Sequence, residues 1–178
     1  MIAAILETGF NVQKTHANFN NQIGVPMTVL GMEPNTEVLV VEMGMDHFGE
    51  LDHLSRLVEP DIAIITMIGE AHIEFFGTRD KIADAKMEIT HGLKEDGLLI
   101  YNGDEPLLRE RTKELLQTTK TFGEAANNDY QALNIVGDEQ RTSFRVACWP
   151  EENITVPMIG SYNVCLLYTS PSPRDPKT

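Results

Sequence analysis

Cysteine is scarce: the 178 residues hold two, Cys148 and Cys165. Two are too few for the disulfide framework of a small secreted domain, and they lack the paired spacing of a zinc site. Positive charge is also short, with 14 Lys+Arg against 27 Asp+Glu and a formal charge of −13. A chain this anionic repels phosphate backbones and acidic lipid surfaces, which argues against nonspecific nucleic-acid or membrane-surface binding. An anionic substrate would have to be met with recruited cations. No apolar run approaches the roughly 20 residues of a membrane-spanning helix. The start, Met1 to Phe10, has neither the basic head nor the small-residue cleavage site of a signal peptide. The phosphate-cradling pattern G-x-x-x-x-G-K-[ST] does not occur. What is present is globular composition, 42% hydrophobic and 23% charged, too apolar for a disordered chain. A cytoplasmic domain is expected.

The middle of the chain alternates two kinds of signal. Glu37 to Met43, Asp61 to Met67 and Gly97 to Asn102 are short apolar, β-branched runs that predict buried strands. Between them lie helical stripes. Gly49 to Val58 carries Leu51, Leu54, Leu57 and Val58 and stops before Pro60. Thr78 to Leu93 has Thr78 as N-cap and Gly92 at its end, and Glu105 to Leu116 turns Leu107, Leu108, Leu115 and Leu116 inward. Strands alternating with helices of this length predict an α/β fold, a mostly parallel sheet flanked by helices. After about Thr119 the helices cease. Lys120 to Phe122, Tyr130 to Val136, Ser143 to Trp149 and Asn153 to Met158 read as short strands of a small antiparallel patch. Met1 to Leu6 reads as the body of an apolar helix without a cap.

In open parallel sheets ligands bind outside the carboxyl ends of the strands, and those ends are rich in chemistry here. Glu42 closes an apolar strand, where a carboxylate is costly unless it meets a cation or backbone donors. It is either a hard-cation ligand of the Mg²⁺ type or the cap of the next helix. His72 follows the neighbouring strand between Glu70 and Glu74, and neutral imidazole can complete a carboxylate-rich metal site or serve structure alone. Lys86 stands at i+4 from Ile82 and i−3 from Ile89 on an apolar stripe, so it points inward. It either snorkels or pairs with Asp84 or Glu88, or it is a buried amine kept neutral often enough to react. A neutral amine takes up CO₂ to form a carbamate, which turns a cation into an anionic metal ligand. Asn102 and Asp104 flank Gly103 in a turn whose amide and carboxylate suit a base edge or ribose hydroxyls, or simply the turn. Thr15 to Pro26 is an amide-rich loop entering a helix whose first N–H groups offer an anion site.

Five segments stand in the order and spacing of one known family. They are Asn18-Phe-Asn-Asn-Gln-Ile-Gly-Val-Pro26, Val41-Glu-Met-Gly-Met-Asp-His-Phe-Gly-Glu50, Ile68-Gly-Glu-Ala-His72, Ala85-Lys86-Met-Glu-Ile89 and Tyr101-Asn-Gly-Asp-Glu-Pro106. Over residues 1 to 164 the chain resembles the Mur ligases. The resemblance implies the P-loop-type, ATP-binding central domain of a monomeric cytoplasmic amide ligase of peptidoglycan synthesis. Within the family it is similar to the branch that joins D-Ala-D-Ala to UDP-N-acetylmuramoyl-tripeptide. There ATP activates the substrate's carboxylate as an acyl phosphate, which the incoming amine attacks. By motif position, Glu42 would hold Mg²⁺ between the β- and γ-phosphates of ATP. His72 and a carbamylated Lys86 would serve a second Mg²⁺ and the catalysis. Asn102 and Asp104 would face adenine and ribose, Asn163 would lie against the base, and Asn18, Asn20 and Asn21 would face the UDP-linked substrate. An anionic protein joining anionic substrates needs such divalent cations.

Met67, Met87 and Tyr162 stand where many members have Asn, Gly and His, and none of the implied metal ligands is altered. The resemblance also sets expectations for the ends. In the family a strand and the phosphate loop come just before the helix that begins here at Met1, so a domain without them, with unpaired backbone edges in its sheet and no activity alone, is expected. Residues 165 to 178 carry three prolines and match nothing in the family; a disordered tail of foreign origin is expected. Two rival readings fit parts of the pattern. One is another ligase of the same superfamily, third-residue-adding or folylpolyglutamate synthase-like. The other is a non-catalytic nucleotide- or Mg²⁺-binding module, or a misassembled product.

Overall fold

The elements follow in the order α1 (Ile2–Leu6), β1 (Val12–Lys14), α2 (Gly24–Leu30), β2 (Val38–Val40), α3 (Glu50–Val58) and β3 (Ile62–Ile65), most strands arising from the short apolar runs. Next come α4 (Ile73–Phe76), α5 (Arg79–Met87) with a 3-10 turn at Glu88–His91, β4 (Leu98–Asn102), α6 (Pro106–Arg111) and β5 (Thr118–Gly123). The chain finishes with β6 (Tyr130–Gly137), β7 (Thr142–Val146) and β8 (Trp149–Val156). The computed structural model describes residues 1–70 and 73–157. His72, Asn163 and the tail from 165 to 178 lie outside the described residues.

Two sheets result. β1 and β2 form a parallel pair, and β3 to β8 form a six-stranded sheet in chain order. β3, β4, β5 and β6 run parallel, whereas β6, β7 and β8 are antiparallel. The expected α/β layer with a C-terminal antiparallel patch is the observed architecture. Only two residue pairs, Phe122↔Tyr130 and Gly123↔Gln131, join β5 to β6. Among the described residues, β2 and β3 each have a strand partner on one side only.

Several boundaries differ from expectation. Lys120 to Phe122 belongs to the parallel layer, because β5 pairs with β4 from Leu98↔Thr118 to Asn102↔Phe122. The helix expected to reach Leu116 ends at Arg111. Thr112 Oγ1 there bonds the Leu108 carbonyl and the Tyr101 hydroxyl, each at 3.0 Å, and such back-bonding competes with further helix. Leu115 still packs on the core, but Leu116 is 97% exposed and does not face inward. Ser143 to Trp149 is not one strand: β7 and β8 meet at Val146↔Trp149, leaving Cys148 in the tight connection with an exposed thiol. β1 has no apolar run to announce it. Its register rests on partners far along the chain, the Asn11 N–H on the Glu37 carboxylate at 2.8 Å and the Gln13 amide on the Gly31 carbonyl at 3.2 Å.

The main core lies between β3, β4 and the helices α5 and α6, and includes Ala63, Ile65, Ile82, Ala83, Leu99, Tyr101 and Leu108. Each large side chain buried there contributes about 1.5–3 kcal/mol. A smaller cluster of Val25, Leu51 and Leu54 packs with Val41 and Met43, and Phe144 with Val146 anchors the patch. α3 ties the regions together by lying against the 3-10 turn. A Cβ on Gly92 would sit 2.0 Å from the Ser55 carbonyl carbon, so only glycine permits this approach. Among the described residues no helix is long and apolar enough to cross a membrane.

Candidate functional site

β2 ends at Val40, and two residues later Glu42 is partly buried in irregular chain. Its backbone N–H donates to Thr15 Oγ1 at 2.8 Å, and its Oε1 accepts from Asn20 Nδ2 at 3.0 Å. No hydrogen bond is made to Oε2 among the described residues, so one carboxylate oxygen stays available. The Asn20 carbonyl in turn accepts the Gly44 N–H at 2.7 Å. Loop and carboxylate therefore fix each other. Glu42 does not cap the following helix.

The asparagines of the 18–21 loop take different roles. Asn20 turns in to Glu42. Asn18 and Asn21 line a shallow pocket of about 250 Å³ with Phe19, Ile23, Gly24 and Met27. Asn21 Oδ1 also accepts the N–H groups of Ile23 and Gly24, both at 3.0 Å. The amides expected to offer an anion site at the start of α2 are thus already partly satisfied.

Lys86 lies on α5 and is mostly buried. Thr78 caps this helix as expected, its hydroxyl accepting the Lys81 N–H at 3.3 Å. Both acids that would have made Lys86 an ordinary ion pair are engaged elsewhere. Asp84 Oδ1 accepts from Arg111 Nε at 2.6 Å, and the Glu88 carboxylate accepts backbone N–H groups of the α3 start. No hydrogen bond or ion pair holds Lys86 Nζ among the described residues. Desolvation alone then pushes its pKa below the ordinary lysine value.

At the end of β4, Asn102 Oδ1 accepts the Asp104 N–H at 2.9 Å, an Asx-type turn. The Asp104 carboxylate accepts the N–H of Glu124 at 2.6 Å, that of Ala125 at 3.1 Å and Nδ2 of Asn128 at 2.7 Å. It thereby clamps the loop after β5. Arg109 holds the same junction through the Gly103 carbonyl and, at 2.9 Å, Asn128 Oδ1. Arg79 links the loops after β3 and β4, donating to the Ile68 carbonyl at 3.1 Å and to Glu105 Oε2 at 2.6 Å. The carboxyl ends of β3, β4 and β5 are thus laced into one edge.

Sequence reasoning did not anticipate two features. Asp46, His47 and Glu50 gather ligand-type atoms within 4.8 Å of one another. Glu50 Oε2, however, accepts the backbone N–H of Asp46 at 2.7 Å and of His47 at 2.9 Å, so it acts first as a local cap. The second feature is the position of Glu88 beneath α3, a contact spanning 39 residues that no local pattern announces.

The chain matches a known family along nearly its whole length. The model of the Mur ligase middle domain matches residues 1–165, and the chain belongs to this family. Among curated relatives, the UDP-N-acetylmuramoyl-tripeptide–D-alanyl-D-alanine ligase of Bacillus subtilis is 50% identical over 164 residues, 92% of this chain and 35% of that protein. The crystal structure of MurF from Acinetobacter baumannii superposes with a TM-score of 0.85 at 31% identity, covering 94% of this chain and 37% of the other. MurF from Thermotoga maritima, solved in complex with ADP, gives 0.78 at 30% identity over 92% of this chain and 38% of the other. The chain spans about a third of the length of the relatives it matches.

Proposed function

We propose that residues 1–164 serve as the nucleotide-handling part of a MurF-type amide ligase, which joins D-Ala-D-Ala to UDP-N-acetylmuramoyl-tripeptide at the expense of ATP through an acyl phosphate. The observation that carries this reading is Lys86: a mostly buried lysine with its two local acids engaged elsewhere and burial lowering its pKa. A cationic ammonium would repel Mg²⁺. A neutral amine adds to CO₂ and releases a proton, leaving a carbamate whose oxygens suit a hard cation. The free oxygen of Glu42 suits one equally, and Asn20 orients it. In this reading Glu42, His72 and carbamylated Lys86 hold the ions, which would neutralise phosphoryl charge when bound.

Asn102, Asp104 and Asn163 are proposed for the nucleotide and Asn18, Asn20 and Asn21 for the UDP-linked substrate. The internal hydrogen bonds of Asp104 favour a share in which it shapes the loop of residues 123–128, while the amide nitrogen of Asn102 is the group left to meet a base. Binding of ATP is supported by the relative solved with ADP. A cytoplasmic, monomeric setting follows from the same reading.

The test grafts residues 1–164 into the Bacillus subtilis relative in place of its matching segment. The chimera is expected to release ADP only when both UDP-N-acetylmuramoyl-tripeptide and D-Ala-D-Ala are supplied. Glu42→Gln or Lys86→Ala in the graft is expected to lower kcat at least about 100-fold, the scale of losing a metal ligand or its support. Full turnover with Lys86→Ala would refute the assignment.

A further inference from the structure

We propose that Glu88 is a positioning residue whose carboxylate fastens the loop carrying Glu42 to the helix carrying Lys86; this rests on the reading of those two residues given above. Glu88 sits in the Ala85-Lys86-Met87-Glu88-Ile89 segment, yet neither the nucleotide nor the cation roles make use of it. It opens the 3-10 turn that continues α5. Both of its carboxylate oxygens lie 2.9 Å from the Gly49 nitrogen, and Oε2 lies 3.4 Å from that of Asp52.

Gly49 is the N-cap of α3, held at φ +85°, and as glycine it has no side chain with which to satisfy the first amides of the helix. Those orphan donors and the positive end of the helix call for an acceptor, best a carboxylate. Glu88 provides it from 39 residues away. The loop that starts at Glu42 ends at this cap. Other hydrogen bonds between the two elements bind only helix bodies: Ser55 Oγ donates to the Glu88 carbonyl at 3.3 Å and accepts the Gly92 N–H at 3.2 Å, and His91 Nδ1 lies 2.7 Å from Asp52 Oδ1. The loop's Met45 adds apolar packing against the core that holds Ala83 and Ala85. Among the described residues, no side chain besides Glu88 bonds the Gly49 amide. Freeing it removes the loop's hydrogen-bonded tie to the Lys86 helix while the helices, and Met45 on the core, stay packed.

The test uses the 178-residue chain in bicarbonate buffer, with Mn²⁺ as probe followed by electron paramagnetic resonance, and amide exchange followed by NMR. Glu88→Ala is expected to weaken Mn²⁺ binding about tenfold, as loss of outer-shell support does, and to speed exchange at Gly49 and Asp52. Glu88→Gln, which keeps one acceptor oxygen, recovers part of both. Ser55→Ala serves as the structural control: it lowers Tm but leaves Mn²⁺ affinity and Gly49 exchange unchanged. The proposal is overturned if Gly49 exchange is unaffected in Glu88→Ala, or if Ser55→Ala weakens Mn²⁺ binding as much. If the unaltered chain takes up no Mn²⁺, the cation reading of Glu42 and Lys86 falls in this chain, and exchange at Gly49 alone decides whether Glu88 fastens the loop.

Discussion

The region around β1, β2 and α2, which carries Glu42, and the region around β3, β4, α5 and α6, which carries Lys86, are held in place by different physics. In the second, side chains such as Ile82, Leu99 and Leu108 are sealed between sheet and helices. In the first, Ile23 is 73% and Leu30 86% exposed, and the backbone is held by side-chain amides and carboxylates, with Val25 its main anchor. One region is fixed by burial, which is insensitive to any single polar group. The other is fixed by a hydrogen-bond lattice that positions Glu42 closely but stores little packing energy.

The sharpest way to break this contrast is to delete the same atoms on each side. Leu99→Ala is expected to cost about 3 kcal/mol, since Leu99 is fully buried and loses both transfer energy and packing. Leu30→Ala is expected to change stability by less than about 0.5 kcal/mol. Urea denaturation of both variants checks it, and equal losses would abolish the distinction.

A smaller effect concerns Asp129, which accepts the Thr121 N–H and hydroxyl at 2.9 and 3.0 Å and Lys120 Nζ at 2.8 Å. Asp129→Ala is expected to cost about 1 kcal/mol, an amount already reduced for solvent exposure. The Lys120 ammonium, ahead of the Thr121 donors, lowers the Asp129 pKa in the folded state. Its contribution is therefore complete above the unfolded carboxylate pKa of about 3.9 and is lost as pH falls through the lower folded value. Acid titration of wild type and variant should converge below that range.

Lys86 gives the opposite sign. Burial lowers its folded pKa, so between that value and the unfolded one near 10.4 the unfolded chain binds more protons and stability rises with pH. Lys86→Met is expected to raise Tm at neutral pH and to flatten this alkaline rise. A variant whose Tm falls, with the slope intact, would mean the ammonium has a favourable partner. A small effect is also expected from Asn21→Ala, about 0.5–1 kcal/mol for the lost hydrogen bonds to the entry of α2, read as faster amide exchange at Ile23 and Gly24.

Legibility divides along the same line. β3, β4 and the start of α5 were plain in the sequence because the apolar runs and the Thr78 cap are local signals that burial then rewards. The end of α6 was not, because Thr112 stops it through Tyr101, a partner on another element. β1 escaped notice because it exists by pairing with β2 and carries little apolar character of its own. Of the candidate site, the inward direction of Lys86 follows from helical spacing. The partnership of Asn20 with Glu42, across 22 residues, and that of Glu88 with Gly49, across 39, are tertiary facts without a local trace.

The two-pair seam between β5 and β6 has a consequence for how the molecule comes apart. Hydrogen bonds along a sheet transmit cooperativity in proportion to their number, and this ladder is nearly severed where the parallel strands give way to the hairpins. The stretch from Tyr130 onward, whose small nucleus of Phe144 and Val146 receives only Met1 from the rest of the chain, is expected to melt as a separate foldon, at a lower temperature than the layer that holds Lys86.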